Sequence, residues 1–249
     1  MSTKLDSSLF VDVADAIGLG NPAIVEKDYY VVQLLKHLSI IEFEHHQLVF
    51  TGGTALAKSD IKTYRMSEDI DIKLEFIESD LLDEAESKSI QSIYAEVLKS
   101  DIEVKNMACA AILETQAEKL LSMMRRTASV ARNHERDDDE TLIRHIYDTY
   151  HIQKAQPANI ESLSKVVTIA IELDVERFGN QHPQMVESPI EELCFGLQLL
   201  TDDPKFEKRY NSYVSPMVYA ESPVNWDNAL AVFTKLANEV LDYVGLSKN

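Results

Sequence analysis

Cysteine is scarce in this sequence of 249 residues, which contains only Cys109 and Cys194. Their spacing matches no zinc-ligand pattern, and two cysteines cannot supply the disulfide framework of a small secreted protein. We therefore expect neither a zinc finger nor structural disulfides. The natural compartment for such a chain is the reducing cytoplasm.

Long apolar stretches are lacking as well. No apolar run approaches the roughly 20 residues that a membrane-spanning helix needs. The N-terminal sequence Met1-Ser-Thr-Lys-Leu-Asp has no apolar core of the kind found in signal peptides. The content of 45% hydrophobic and 27% charged residues is typical of a soluble globular protein. We therefore expect no membrane partner.

Basic residues are few relative to acidic ones, with 24 Lys and Arg against 42 Asp and Glu and a formal net charge of −18. This balance argues against a protein that grips nucleic acid over much of its surface, because phosphate neutralisation supplies most of such affinity. One segment is an exception and is called the basic stripe below. It carries one acid, Glu135, and five basic residues: Lys119, Arg125, Arg126, Arg132 and Arg136. Its spacing suits either a solvated helix face or a nucleic-acid contact.

Hydrophobic periodicity predicts an α+β fold with a small mixed sheet near the N-terminus and a helical C-terminal half. We expect one domain over residues 1–110 and a second over 111–249. The predicted strands are residues 47–51 and 69–77. Asn21 and Pro22 have the residue types that begin a helix. The predicted helices are residues 9–17, 22–38, 54–61, 89–99, 114–133, 139–152, 160–178, 189–200 and 226–244.

The most informative motif is a glycine turn followed by two aspartates. The stretch Leu48-Val-Phe-Thr-Gly-Gly-Thr-Ala-Leu-Ala-Lys58 is followed by Arg65-Met-Ser-Glu-Asp-Ile-Asp-Ile-Lys-Leu74. Alternation along a strand predicts that Asp69 and Asp71 share a face. Two adjacent carboxylates favour a cation between them, and Mg²⁺ is often held by one or two carboxylates plus substrate phosphates. Gly52 and Gly53 would let backbone N–H groups approach a triphosphate, although they could form a plain tight turn.

This arrangement resembles the nucleotidyltransferase fold of the DNA polymerase β superfamily, and in detail the AbiEii/AbiGii toxin family, which includes the MenT toxins. Five ordered elements support the resemblance between residues 24 and 150. Two are the segments around the glycines and the aspartates. The other three are Val25-Glu-Lys-Asp-Tyr-Tyr30, Glu114-Thr-Gln-Ala-Glu-Lys-Leu120 and Arg144-His-Ile-Tyr-Asp148.

The resemblance implies a nucleotidyltransferase that uses an NTP with Mg²⁺ or Mn²⁺ bound by Asp69 and Asp71. It assigns Lys119 to charge neutralisation at the active site, where the alternative is a solvated lysine. It assigns Asp148 to activity as a base or metal partner, where the alternative is an i,i+4 ion pair with Arg144. The residues expected to contact phosphate are Gly52, Gly53, Thr54 and Ser67, with Lys58 and Arg65 either joining them or lying at the surface.

Relatives with a polymerase-β-like core place a third carboxylate on a strand after the Asp-x-Asp strand. Glu75, Glu103 and Asp148 are the candidates in this sequence. Without a third carboxylate, an arrangement of two metal ions that clamps both the attacking and the leaving oxygen would be incomplete.

The family implies an RNA acceptor, with a tRNA 3′ end as the first expectation, and an antitoxin encoded nearby. The acidic charge suits a basic protein acceptor as well as it suits RNA, so an enzyme acting on a protein or small molecule remains an alternative. A catalytically degenerate nucleotide-binding protein is a further one.

Overall fold

The computed structural model describes residues 6–67, 69–76, 107–134 and 137–246. The chain divides into two compact units, called the sheet unit and the helical unit below. The sheet unit comprises Met1–Ala55 and Met66–Ala110, and the helical unit comprises Leu56–Arg65 and Ala111–Asn249. Residues 56–65, assigned to the first domain by the sequence prediction, thus belong with the C-terminal helices.

In the described part of the sheet unit, three strands form a mixed sheet. Strand β1 (His46–Thr51) lies between β2 (Asp71–Phe76) and β3 (Ala108–Cys109). β1 pairs antiparallel with β2 and parallel with β3. The small mixed sheet predicted from the sequence is confirmed, and with the helices it gives an α+β fold.

Among the described residues, three helices accompany this sheet in sequence: α1 (Ser8–Ala16), α2 (Pro22–Leu38) and α3 (Gly52–Ala57). The side chain of Asn21 accepts a hydrogen bond from the Ala23 backbone N–H at 3.1 Å, so it caps α2 as its residue type predicts. Helix α3 begins directly after β1 and is shorter than the predicted helix over residues 54–61.

The helical unit contains seven α-helices within the described part of the chain. They are α4 (Ile112–Ala131), α5 (Arg144–Ala155), α6 (Ile160–Phe178), α7 (Pro183–Glu187), α8 (Pro189–Asp202), α9 (Lys205–Tyr213) and α10 (Trp226–Leu246). Short 3₁₀ turns at Glu140–Ile143, Gly179–Gln181 and Ser215–Met217 connect some of them.

Helix α4 packs against α5, α6 and α8, and α10 also packs against α5 and α6. Leu120, Met124 and Phe233 are fully buried in the resulting core. Gly196 of α8 allows this helix to lie close to α4, since a Cβ there would stand 2.8 Å from the Met124 carbonyl carbon. The contact explains a glycine in a helix interior, where it otherwise costs about 1 kcal/mol.

Residues 56–65 are joined to the helical unit by both apolar and polar contacts. Leu56 and Ile61 pack with Ile152 of α5. The Tyr147 hydroxyl donates to the Thr63 carbonyl at 2.6 Å. These contacts come from residues far along the chain, which is why periodicity alone did not assign the segment to this unit.

Some sequence predictions differ from the structure or lie outside it. The predicted helix over residues 89–99 falls outside the described residues. The segment predicted as a helix over 139–152 begins with a 3₁₀ turn before α5, and α7, α9 and β3 were not predicted. None of the helices in the described ranges is both long and apolar enough to cross a membrane.

Candidate functional site

The glycine turn and Asp71 meet at one end of the β1–β2 pair. Thr51, the last residue of β1, pairs with Asp71, the first residue of β2, and the chain then turns at Gly52. Gly52 has a φ of +76°, which disfavours other residues. A Cβ at this position would stand 2.7 Å from Cγ of Asp71. The carboxylate of Asp71 therefore lies directly over the backbone of the turn, in space that any side chain at residue 52 would occupy.

Asp69 lies just before β2, so the prediction of a strand beginning at residue 69 is wrong. Its partner strand has already ended at Thr51, and no β1 residue remains to pair with it. The Asp69 carbonyl instead accepts a hydrogen bond from the Thr54 hydroxyl. This contact holds the residue preceding β2 against the first turn of α3. The Asp69 side chain remains exposed.

Thr54 and Ser67 differ from Asp69 in being buried, at 0% and 6% exposure. The Thr54 side chain stabilises the loop rather than facing solvent. Thr54 can therefore contact a phosphate only through its backbone N–H. This N–H belongs to the first turn of α3, where N–H groups have no partner within the helix. Gly53 is half-buried beside it.

The residues at this end of the sheet fit a hard divalent cation. Asp69 and Asp71 are both exposed and carry carboxylate oxygens, the ligands that Mg²⁺ and Mn²⁺ prefer. Within the described ranges there is no cluster of three or more His, Cys, Asp or Glu able to hold a metal. A cation here would thus take its remaining ligands from substrate phosphates and water, as Mg²⁺ commonly does.

Of the three candidates for a third carboxylate, the structure describes Glu75 and Asp148. Glu75 lies on β2 four residues beyond Asp71, which is about 13 Å along a strand and too far to share one ion. Glu103 lies outside the described residues. Asp148 is fully buried in the helical unit and is occupied by other partners. Strand β3, which follows β2 among the described strands, consists of Ala108 and Cys109 and carries no carboxylate.

A buried charge cluster surrounds Asp148 in the helical unit. Arg65 binds its carboxylate through Nε and Nη2, at 3.1 Å and 3.0 Å from Oδ1, with Nη2 also 2.9 Å from Oδ2. Lys119 Nζ donates to Oδ2 at 2.8 Å. All three side chains are at most 5% exposed. Asp148 thus pairs with two cations distant in sequence, whereas Nε of Arg144, the partner expected from the i,i+4 spacing, donates to the Tyr213 carbonyl at 3.4 Å.

This cluster sets the protonation states around it. Burial acts to raise the pKa of Asp148, but the charges of Arg65 and Lys119 outweigh it and hold that pKa at about 2. A carboxylate with so low a pKa is a poor general base near neutral pH. Burial, assisted by the charge of Lys119, lowers the pKa of His145 to about 3. His145 is therefore neutral at pH 7, and Asp148 acts as the fixed anion that orients two cations.

Arg65 thus lies with Asp148 rather than at the surface, although sequence alone left a phosphate contact open for it. Lys58 is exposed. The predicted site residues fall into two sets. Gly52, Gly53, Thr54, Ser67, Asp69 and Asp71 belong to the sheet unit, and Lys58, Arg65, Lys119 and Asp148 belong to the helical unit. The ion pair between residues 65 and 148 had no signal in the sequence, because a separation of 83 residues carries no periodic pattern.

The four described residues of the basic stripe all pair with acids. Lys119 pairs with Asp148, and Arg125 pairs with Asp174 at 3.1 Å; both basic residues are buried. Two further ion pairs join Arg126 to Asp139 at 3.3 Å and Arg132 to Glu192 at 2.9 Å. Arg136 lies outside the described residues. The prediction of a solvated face is therefore wrong for Lys119 and Arg125.

The exposed Asp71 carboxylate lies over a glycine turn, and the exposed Asp69 precedes it by two residues, which makes this end of the sheet a candidate site for a metal-bound phosphate ligand. The comparison with protein families gives the class a name. The family described as the nucleotidyl transferase AbiEii toxin of type IV toxin–antitoxin systems matches residues 33–80 and 71–232. Because these matches cover most of the chain, the protein belongs to this family, and membership implies an antitoxin partner. Neither the comparison with curated proteins nor that with solved structures gives a match.

Proposed function

We propose that this protein is a Mg²⁺- or Mn²⁺-dependent nucleotidyltransferase that transfers a nucleotide from an NTP to an RNA acceptor, with a tRNA 3′ end as the first candidate. The reaction would join an acceptor hydroxyl oxygen to the α-phosphorus and release pyrophosphate. The observation that carries the proposal is the position of the Asp71 carboxylate against Gly52, beside the exposed Asp69. A polymerase-β-like core is part of the same proposal.

The residues at the sheet end have complementary roles in this proposal. Asp69 and Asp71 would hold the cation, which supplies charge stabilisation for the transferred phosphoryl group. Backbone N–H groups of Gly52, Gly53 and Thr54 would bind phosphate oxygens, since glycine permits a close approach of ligand to backbone. Thr54 also fixes the backbone of Asp69 against the first turn of α3.

The family resemblance assigns Lys119 and Asp148 to the same reaction. The geometry of the helical unit supports a different role for each of these two residues. Lys119 would supply positive charge to a phosphate, and Asp148, with its low pKa, would position Lys119 rather than remove a proton. Arg65 shares the carboxylate and is held in a fixed orientation by bidentate contact.

A second acceptor class is favoured by the charge pattern. Four of the five basic residues of the basic stripe are paired with acids, and the chain carries a net charge of −18. A protein or small-molecule acceptor does not need a cationic surface, whereas an RNA acceptor gains most of its affinity from one. Nucleotide transfer itself is common to both alternatives.

The test combines each α-labelled NTP with Mg²⁺ and either total tRNA, a protein extract or no acceptor. We expect label on the tRNA with wild type and none with Asp69→Asn or Asp71→Asn. A matched control is Asp227→Asn in the first turn of α10, which should transfer at the wild-type rate. Label on protein alone would favour the second acceptor class. Equal labelling by wild type and both variants would refute the assignment of the metal site.

A further inference from the structure

A cavity of about 560 Å³ lies in the helical unit, where α4 and α6 end. Its volume falls within the roughly 300–1,000 Å³ of small-molecule sites. Its lining includes Ser129, Asn133, His134, Phe178, Asn180 and His182. None of the described residues that line it carries a carboxylate, so the walls are polar and aromatic, and their permanent cation is Arg125, which pairs with Asp174.

The end of α4 fixes one wall of this cavity. Asn133 has a φ of +56°, and its N–H donates to the Val130 carbonyl at 3.0 Å. The N–H of His134 donates to the Ser129 carbonyl at 3.2 Å. These two bonds form the Schellman motif that ends a helix. His134 is held further by Gln184, whose Oε1 lies 3.0 Å from its Nε2. The imidazole ring therefore has a defined place, 5.0 Å from the ring of His182.

Glu192 determines which nitrogen of His182 carries a hydrogen. Its carboxylate is 2% exposed and lies 2.9 Å from Nε2 of His182 and 2.9 Å from Nη2 of Arg132. Burial acts to raise the pKa of Glu192, but the hydrogen bonds from Arg132 and His182 lower it overall. Glu192 is thus ionised near neutral pH and can only accept hydrogen bonds. Nε2 of His182 must then be the donor.

His182 consequently presents a bare Nδ1. The residue is 2% exposed, and burial lowers the pKa of its imidazole, so the ring is neutral at pH 7. With the hydrogen on Nε2, Nδ1 is an acceptor, and it has no hydrogen-bond partner among the described residues. A buried polar atom without a partner costs about 1–3 kcal/mol, which a donor from a ligand would offset.

We propose that this cavity binds a nucleobase whose exocyclic amino group donates to Nδ1 of His182. A phosphate or carboxylate oxygen carries no hydrogen for this acceptor at neutral pH. A metal ion is disfavoured, since the described residues contain no cluster of three suitable ligands. Phe178 and His134 place aromatic rings in the lining, the Phe178 ring with the guanidinium carbon of Arg125 at 5.6 Å from its centroid, and aromatic rings favour a flat heterocycle as the ligand. The exposed amides of Asn133 and Asn180 can pair with the edge of such a heterocycle. The base could come from a free nucleoside or from a single-stranded RNA end.

Calorimetry on the full chain tests this inference with adenosine and with purine riboside, which differ in the amino group alone. We expect purine riboside to bind at least about tenfold more weakly, the effect of one lost hydrogen bond to a buried acceptor. A single-stranded oligoribonucleotide ending in adenosine distinguishes the two sources. Tighter binding of the oligonucleotide than of adenosine would identify an RNA end, and equal binding would identify the free nucleoside. Equal affinity for adenosine and purine riboside, or binding of none of the three, would overturn the proposal.

Single substitutions test whether adenosine binds in this cavity or elsewhere on the protein. His182→Phe keeps a ring and removes Nδ1, so its affinity for adenosine should fall to that of purine riboside. The matched control is His151→Phe, which replaces a histidine outside the cavity lining. Asn180→Leu, at an exposed position, should weaken adenosine binding without affecting folding. Wild-type affinity in both His182→Phe and Asn180→Leu would also overturn the proposal. The inference does not depend on nucleotide transfer, because adenosine contains no phosphate and its binding needs no metal.

Discussion

Replacement of Asp148 by asparagine should strongly destabilise the helical unit. The substitution leaves Arg65 and Lys119 without an anion, although their side chains are only 2% and 5% exposed. Removal of one partner from a buried ion pair typically costs 3–5 kcal/mol, because an uncompensated charge stays out of water. A loss of about 4 kcal/mol would be a large fraction of the 5–15 kcal/mol that stabilises an ordinary domain.

Urea unfolding followed by far-ultraviolet circular dichroism measures this effect, since most helices lie in the helical unit. With a slope of about 2 kcal/mol per molar urea, the midpoint should fall by about 2 M. Glu161→Gln is the matched control, because it removes an acid whose ion pair with Lys165 is exposed, and its midpoint should equal that of wild type. The reasoning would be refuted if Asp148→Asn shifted the midpoint no further than Glu161→Gln.

The stability of the same variant should also depend on pH differently from that of wild type. The pKa of Asp148 falls from an ordinary value of 3.8 to about 2 on folding, so its ionised form is favoured in the native state. Its contribution is present in full above about pH 4 and is lost as the pH falls from 4 through 2. The shift corresponds to about 2 kcal/mol. Wild type should therefore lose about that much more stability than Asp148→Asn across this window.

The remaining predictions concern His145, the glycine turn and the basic stripe. His145 must gain a proton on unfolding below pH 6.5, because its native pKa is about 3; His145→Phe should therefore flatten the fall in urea midpoint between pH 6.5 and 4. Gly52→Ala should lower the free energy of unfolding by about 1–3 kcal/mol and abolish transfer, since φ is positive there and Asp71 occupies the place of the new Cβ. Gly20→Ala is the control: its Cβ would have open space around it, so both stability and transfer should stay at the wild-type level. Arg125→Glu should lower the urea midpoint at any salt concentration, because it places a second carboxylate beside Asp174, the acid that Arg125 pairs with. A loss of tRNA binding in this variant would therefore be evidence about the RNA surface only if circular dichroism showed an intact fold.

The parts of the fold that sequence predicts well are those with local causes. Helix α2 has the boundaries predicted for it because Asn21 caps it and Pro22 begins it. Helix α6 likewise has its predicted bounds, Ile160–Phe178, with Asn159 accepting from the Ser162 N–H at 2.9 Å. Strand β3 escaped prediction because two residues show no alternation, and its pairing with β1 is a long-range contact.

The candidate site shows the same division between local and distant causes. The glycine turn and the two aspartates are close in sequence, so their neighbourhood could be predicted from strand pairing and family resemblance together. The partner of Asp148 could not, because an acid on a helix has several possible cations and only tertiary packing selects one. The prediction of a solvated face was wrong for Lys119 and Arg125 for the same reason, since charge counting along a segment does not show the acids that approach it from elsewhere in the fold.

Residues 56–65 have a consequence for how the protein can be divided. The chain passes from the sheet unit to the helical unit at residue 56, returns at 66 and leaves again at 111. No single cut therefore yields two complete pieces. A fragment ending at residue 110 would retain Arg65 without its carboxylate, and a fragment beginning at 111 would retain Asp148 without its bidentate cation. Domain boundaries usually tolerate separation because few contacts cross them. In this protein each fragment would lack residues that complete the other, because the ten-residue segment 56–65 belongs with the C-terminal helices. We therefore expect the two fragments to regain their fold only when they are co-expressed.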